Sequence, residues 1–159
     1  MTPNQPISVL FVCLGNICRS PMAEAVFASV VAERGLQSSF AKVDSAGTAG
    51  YHIGDAPDDR SVATCRKHNV IVTHRGQKVK STDFEAFDWI LCMDDSNLSN
   101  LRAIQSKGSK AKVMLFGEFD PEGMRVIEDP YYGGIDGFEI NFQQVTRASH
   151  GFLKHLGLY

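Results

Sequence analysis

The stretch ISVLFVCLGNICRSPMAEAVFASVVAERG, residues 7–35, decides the fold. Its opening ISVLFV is a short, nearly continuous apolar run with β-branched residues, the pattern of a strand buried on both faces. A polar, glycine-bearing loop follows, CLGNICRS at 13–20. In SPMAEAVFASVVAERG, at 20–35, the positions Met22, Ala25, Val26, Ser29 and Val30 keep a helical period. Pro21 suits the first helical turn, Ser20 suits the cap and Gly35 suits the exit. Strand, loop and helix in that order put the loop at the carboxyl end of a strand and the amino end of a helix. An open parallel sheet binds its ligands there, and the unpaired N–H groups and dipole of the helix favour an anion. Gly15 and Asn16 tolerate the left-handed backbone that a tight cradle needs. The alternative phosphate loop, GxxxxGK(S/T), is absent from the sequence.

The same alternation continues outward. Residues 40–45, 88–93 (DWILCM) and 112–116 (KVMLF) read as further strands, and 59–68, 96–105 and about 138–156 as helices. This order implies an α/β fold, a parallel sheet flanked by helices on both faces. No repeat, low-complexity tract or linker divides the chain, so residues 1–159 are expected to form a single domain. A hydrophobic fraction of 43% supports one ordinary core. A net charge of -2 argues against a nucleic-acid partner, and no apolar run is long enough to cross a membrane. The N-terminal residues do not read as a signal peptide. Cys13, Cys18, Cys65 and Cys92 form no CxxC pair, and the one CxxH spacing, Cys65 and His68, has no second pair to complete a four-ligand set. They are expected to be free thiols in a reducing cytoplasm, with no metal and no cofactor.

Cys13 and Arg19 bracket the loop. Their bare spacing is weak evidence, but their position is not. A cysteine at the end of the first strand meets the dipole of the following helix, and that field with Arg19 favours the thiolate. The planar fork of Arg19 can hold two phosphate oxygens at once. Nucleophile, anion cradle and clamp therefore share one short loop. Asp129 is either a turn opener or a proton donor, and Pro130 holds it in extended backbone. Tyr131 and Tyr132 either wall a phenyl ester or pack beneath the last helix. His74 is expected to give hydrogen-bonding support, and Cys65 and Cys92 to be core. His52, His150 and His155 show no ligand spacing, and His68 has only Cys65 at such a spacing; none of the four receives a role.

The segment VCLGNICRSPMAEAVF, at 12–27, resembles the low-molecular-weight protein tyrosine phosphatases. DSAGT at 44–48, CMDDSN at 92–97 and EDPYY at 128–132 match that family in order. The resemblance spans essentially the whole chain. It implies a four-stranded parallel sheet with flanking helices and a phosphate-binding loop of Leu14, Gly15, Asn16, Ile17, Cys18 and Arg19. It implies hydrolysis of phosphotyrosine and aryl phosphate monoesters through a phosphocysteine, without metal. Cys13 would be the nucleophile, Arg19 the clamp and Asp129 the general acid. Asn16, Ser20, Ser45 and His74 would support the loop, with Ser20 also assisting departure of the thiolate. Cys18 would be the partner of Cys13 in reversible oxidation, and Asp94 an acidic position near the loop. Tyr51, Tyr131 and Tyr132 would form the cleft rim, Tyr51 standing where many members carry tryptophan or another bulky group. The implied partners are phosphotyrosine-containing proteins, and inorganic phosphate or similar oxyanions as product or inhibitor. Neither nucleic acid nor membrane is expected, and the chain would be a monomer or weak dimer. Two other functions share the loop. Arsenate reduction needs a relay of thiols that reach Cys13. A phosphate-binding module would need neither Cys13 nor Asp129.

Overall fold

ISVLFVC forms strand β1 (Ile7–Cys13) in the computed structural model, which describes residues 5–131, 133–134 and 136–159. Its side chains alternate between two apolar layers: Val9, Phe11 and Cys13 enter one, Leu10 and Val12 the other. Burial on both faces is why apolar residues run consecutively here rather than every second position. Strands β2 (Phe40–Gly47), β3 (Trp89–Cys92) and β4 (Lys112–Leu115) complete a parallel sheet in the order β2-β1-β3-β4.

The helices are α1 (Arg19–Glu33), α2 (Asp59–Lys67), α3 (Asp83–Ala86), α4 (Asp95–Ile104) and α5 (Asp136–His155). Val26, Phe27 and Val30 of α1 and Val145 and Phe152 of α5 pack on the Val9–Phe11 face. Phe84 of α3 and Leu101 of α4 pack on the Leu10–Val12 face. The expected α/β sheet with helices on both faces is thus the observed one. Phe11 anchors the larger layer, with ring centroids 5.5 Å from Phe27 and 4.8 Å from Phe116. Full burial of such a ring contributes about 2–3 kcal/mol.

The structure corrects some details. Helix α1 starts at Arg19 with Cys18 at its cap and no side-chain cap bond, so Ser20 lies inside the first turn. Met22, Val26 and Val30 are buried as expected, but Ala25 and Ser29 are half-buried and the inner face turns toward Ala23, Phe27 and Val31. Strand β2 extends to Gly47, which pairs with Cys13 and bridges to Lys78. Helix α3 and the single 3₁₀ turns Gln37–Ser39 and Phe116–Phe119 are too short to leave a periodic signal. Gly35, at φ 66°, ends α1 as expected. Among the described residues no helix is long and apolar enough to cross a membrane.

The strand order positions the site. From β1 the chain moves to β2 on one side, and from β3 it moves to β4 on the other. The crevice beyond the carboxyl ends of β1 and β3 is therefore the switch point where such sheets bind ligands. Opposite that end, Gly151 of α5 lies against the Phe119 carbonyl, where a Cβ would collide with backbone. Gly151→Ala is expected to destabilise by about 1–3 kcal/mol. Urea unfolding would show this as a lower midpoint at an unchanged slope.

Candidate active site

The loop after β1 turns on Asn16, whose φ of 58° is left-handed. Asn is among the few residues that take this conformation readily. The turn directs the Asn16 N–H to Cys13 Sγ at 3.3 Å, and Ser20 Oγ lies 3.1 Å from the same sulfur. An amide and a hydroxyl thus converge on a sulfur that is 2% exposed.

The Asn16 side chain faces away from the sulfur and is fully used. Its Nδ2 donates to Ser20 Oγ at 2.8 Å and to Ser45 Oγ at 3.1 Å. Its Oδ1 accepts from the Gln77 N–H at 3.0 Å and lies 2.7 Å from His74 Nε2. Because Gln77 N–H can only donate, the orientation of the Asn16 amide is fixed. Ser45 Oγ donates to Glu24 Oε1 at 2.7 Å, and Gln77 Nε2 donates to Asp44 Oδ2 at 3.0 Å. His74 Nδ1 faces Glu24 Oε1 at 3.2 Å and Asp44 Oδ1 at 3.6 Å.

The four expected support residues are therefore brought together. Glu24, Asp44 and Gln77 join them unannounced; the only local hints are Glu24 one helical turn after Ser20 and Asp44 beside Ser45. Glu24, Asp44 and His74 place one potential ligand atom each within 4.8 Å of one another. Their hydrogen bonds to Asn16, Ser45 and Gln77 already account for that arrangement.

Arg19 is 2% exposed. Its Nη1 donates to Asp94 Oδ2 at 2.6 Å and to the Ile127 carbonyl at 2.9 Å, and its Nη2 lies 3.7 Å from Asp129 Oδ2. Burial alone would lower the proton affinity of the guanidinium, but Cys13, Asp94 and Asp129 together raise it. Arg19 stays cationic although buried. Asp94 also caps α4, accepting the Asn97 N–H on Oδ1 at 2.8 Å. Asp129 Oδ1 accepts the Tyr131 N–H at 3.0 Å, which leaves Oδ2 on the Arg19 side.

Cys13, Arg19 and Asp129 line one cleft, and Leu14, Ile17, Tyr51 and Tyr131 give it apolar walls. Tyr51 is 74% exposed and Tyr131 39%. Tyr132 lies outside the described residues. His52 also lines the cleft, with Nδ1 3.1 Å from Asp55 Oδ2 and its ring against Gly15. Sequence reasoning gave it no role, and its flanking loop GYHIG was the only signal. Gly15 and Cys18 complete the loop side. Burial pushes the Cys18 thiol far up, and the charges of Asp58, Cys13 and Asp129 push it further. Cys65 and Cys92 are buried, and burial first, then neighbouring carboxylates, pushes each to about 12.

The arrangement brings a thiol, a fixed cation and a carboxylate to one cleft. It holds its shape through Asn16, which sets up a clean comparison. Asn16→Ala and Asn16→Gly both leave the Gln77 N–H and the Ser hydroxyls short of a partner, at about 1–3 kcal/mol each. Alanine also carries the left-handed strain, so it is expected to be less stable than glycine by about 1–2 kcal/mol in urea titration.

Comparison with known proteins agrees with this geometry. The model of the low molecular weight phosphotyrosine protein phosphatase family matches residues 8–158. The low molecular weight phosphotyrosine protein phosphatase of Saccharomyces cerevisiae is 50% identical over 158 residues, covering 97% of this chain and 98% of that protein. A crystal structure of a protein tyrosine phosphatase from Entamoeba histolytica, with Hepes in its active site, superposes with a TM-score of 0.91. It is 35% identical and covers 95% of this chain and 97% of its own. The structure of DARP, a drosophila arginine phosphatase, superposes with a TM-score of 0.87 at 35% identity, over 94% of this chain and 98% of its own. The fold, the loop after β1 and these matches agree: the chain belongs to the low molecular weight phosphotyrosine protein phosphatase family.

Proposed function

We propose that this chain hydrolyses phosphotyrosine and related aryl phosphate monoesters through a phosphocysteine on Cys13. The observation that carries this is the convergence of Cys13, Arg19 and Asp129 on one apolar-walled cleft. The Cys13 thiolate attacks phosphorus, forming the P–S bond as the bond to the phenolic oxygen breaks. The loop amides and the Arg19 guanidinium stabilise charge on the equatorial oxygens. Asp129 gives its proton to the departing oxygen. As a carboxylate it then takes a proton from the water that attacks phosphorus, and the P–S bond breaks. Ser20 Oγ, 3.1 Å from the sulfur, supports the returning thiolate. The fixed donors and Arg19 supply the positive field that a metal would otherwise provide.

The walls select the ester. Leu14, Ile17, Tyr51 and Tyr131 are apolar or aromatic and suit a phenyl ring. A phosphoguanidine leaving group would instead favour polar walls. Phosphotyrosine-containing proteins are the partners this implies, and inorganic phosphate the product. Four free, buried cysteines support a reducing, cytoplasmic setting. Cys65 and Cys92 are buried in the core and, unlike Cys18, do not line the cleft that holds Cys13, which disfavours a thiol relay for arsenate reduction.

Steady-state hydrolysis in the presence of a chelator tests this reading. Phosphotyrosine peptide should turn over, phosphoserine and phosphoarginine peptides should not, and Cys13→Ser should abolish turnover. Asp129→Asn should lower kcat/KM for phosphotyrosine by about 10²–10⁴ and for activated aryl phosphates much less. Activity on phosphoarginine alone, or turnover surviving in Cys13→Ser, would overturn it.

We also propose that peroxide oxidises Cys13 first and that Cys18 then resolves it. The Cys13 thiolate attacks the O–O bond and becomes a sulfenic acid; Cys18 displaces water and forms the disulfide. The expected product after mild peroxide is a Cys13–Cys18 linked peptide on mapping, reversible by dithiothreitol. Recovery of Cys13 only as sulfinic or sulfonic acid would count against Cys18.

A further inference from the structure

The start of α2 touches both halves of the site. The Asp58 N–H donates to the Ile17 carbonyl at 2.8 Å, and Ser61 Oγ donates to the Cys18 carbonyl at 3.0 Å. Arg60, between them, reaches the other way. Its Nη1 donates to the Tyr131 carbonyl at 3.1 Å, while Nε and Nη2 grip the Asp58 carboxylate at 3.1 and 3.0 Å. Its guanidinium lies 5.3 Å from the Tyr131 ring centroid and 4.7 Å from that of Phe138. The Tyr131 N–H in turn donates to Asp129 Oδ1 at 3.0 Å.

These contacts form one continuous relay: phosphate loop, Asp58, Arg60, the Tyr131 main chain, the Asp129 carboxylate. We propose that Arg60 is a positioning residue that sets Asp129 relative to the phosphate loop, so that proton delivery is aligned with attack by Cys13. This rests on the assignment of Asp129 as proton donor. The need for such a clamp is physical. The Asp129 side chain is 39% exposed, on an irregular segment, and a proton donor must lie within about 3 Å of the leaving oxygen. A displacement of about 1 Å is enough to cost up to a hundredfold in rate. Arg60 meets the need by bonding to main chain, and only a fork with several N–H groups can hold Asp58 and Tyr131 together.

The relay predicts a signature that ordinary structural damage lacks. Arg60 is 39% exposed although Asp58 is 12%, and an ion pair with its cation in water adds little to stability. Arg60→Lys and Arg60→Ala should therefore change the urea midpoint only slightly. Both should lower kcat/KM about tenfold or more for phosphotyrosine, whose leaving group needs the proton. For p-nitrophenyl phosphate, whose leaving group does not, the loss should stay within about twofold. Asp129→Asn is measured alongside. Equal losses on both substrates, or none, in the Arg60 variants while Asp129→Asn remains selective would remove the role of Arg60 alone. An Asp129→Asn variant with no leaving-group selectivity would remove the proton-donor assignment, and the role of Arg60 with it. Arg60→Lys keeps the charge and the stem, so the test stands even where the alanine variant folds poorly.

Discussion

The side-chain amide of Asn16 makes two hydrogen bonds through its nitrogen and two through its oxygen, and the phosphate loop takes its shape from them. A left-handed residue in a buried loop is tolerable only where its polar groups are satisfied and its neighbours hold it. Ser20, Ser45, His74 and Gln77 do so, and Glu24 and Asp44 anchor them in turn. The loop is thereby fixed by side chains behind it. A loop held in this way is preorganised, the condition under which fixed dipoles stabilise developing charge most.

A buried guanidinium imposes the second constraint. Removing a charge from water is unfavourable unless partners replace the lost hydration. Asp94 and the Ile127 carbonyl hold one end of Arg19, and Asp129 faces the other. Asp94 serves twice, since the same carboxylate caps α4. Arg19 is thus tied through Asp94 to the carboxyl end of β3 and the start of α4, and Asp129 to α2 through the Tyr131 main chain and Arg60. Three elements distant in sequence set the dimensions of one cleft.

Much of this was legible in the chain. The apolar run 7–12, the helix from the SPMAEAVF segment and the later strands all rest on local periodicity, and the structure places them within a few residues of expectation. The errors also have local causes. Ser20 looked like a cap, but the loop takes its hydroxyl and the cap lies two residues earlier, at Cys18. Strand β2 runs on to Gly47 because that glycine packs against the Leu14 carbonyl, where a Cβ would sit at 2.7 Å. No single-strand pattern encodes such an approach.

By itself, the sequence determined that a cysteine and an arginine share a loop between a strand and a helix. Seven consecutive positions, 13–19, carry that information, and the field of a helix start acts on whatever lies beside it. Only the tertiary structure decided which distant groups complete the site. Ser45, Ile127 and Tyr131 lie 29, 108 and 71 residues from the partners they meet in Asn16, Arg19 and Arg60. Glu24, Asp44, His52 and Arg60 look in the chain like any other polar residues. They come to the site through the parallel order of the sheet, which gathers the ends of β1, β2 and β3 around the Cys13–Arg19 loop.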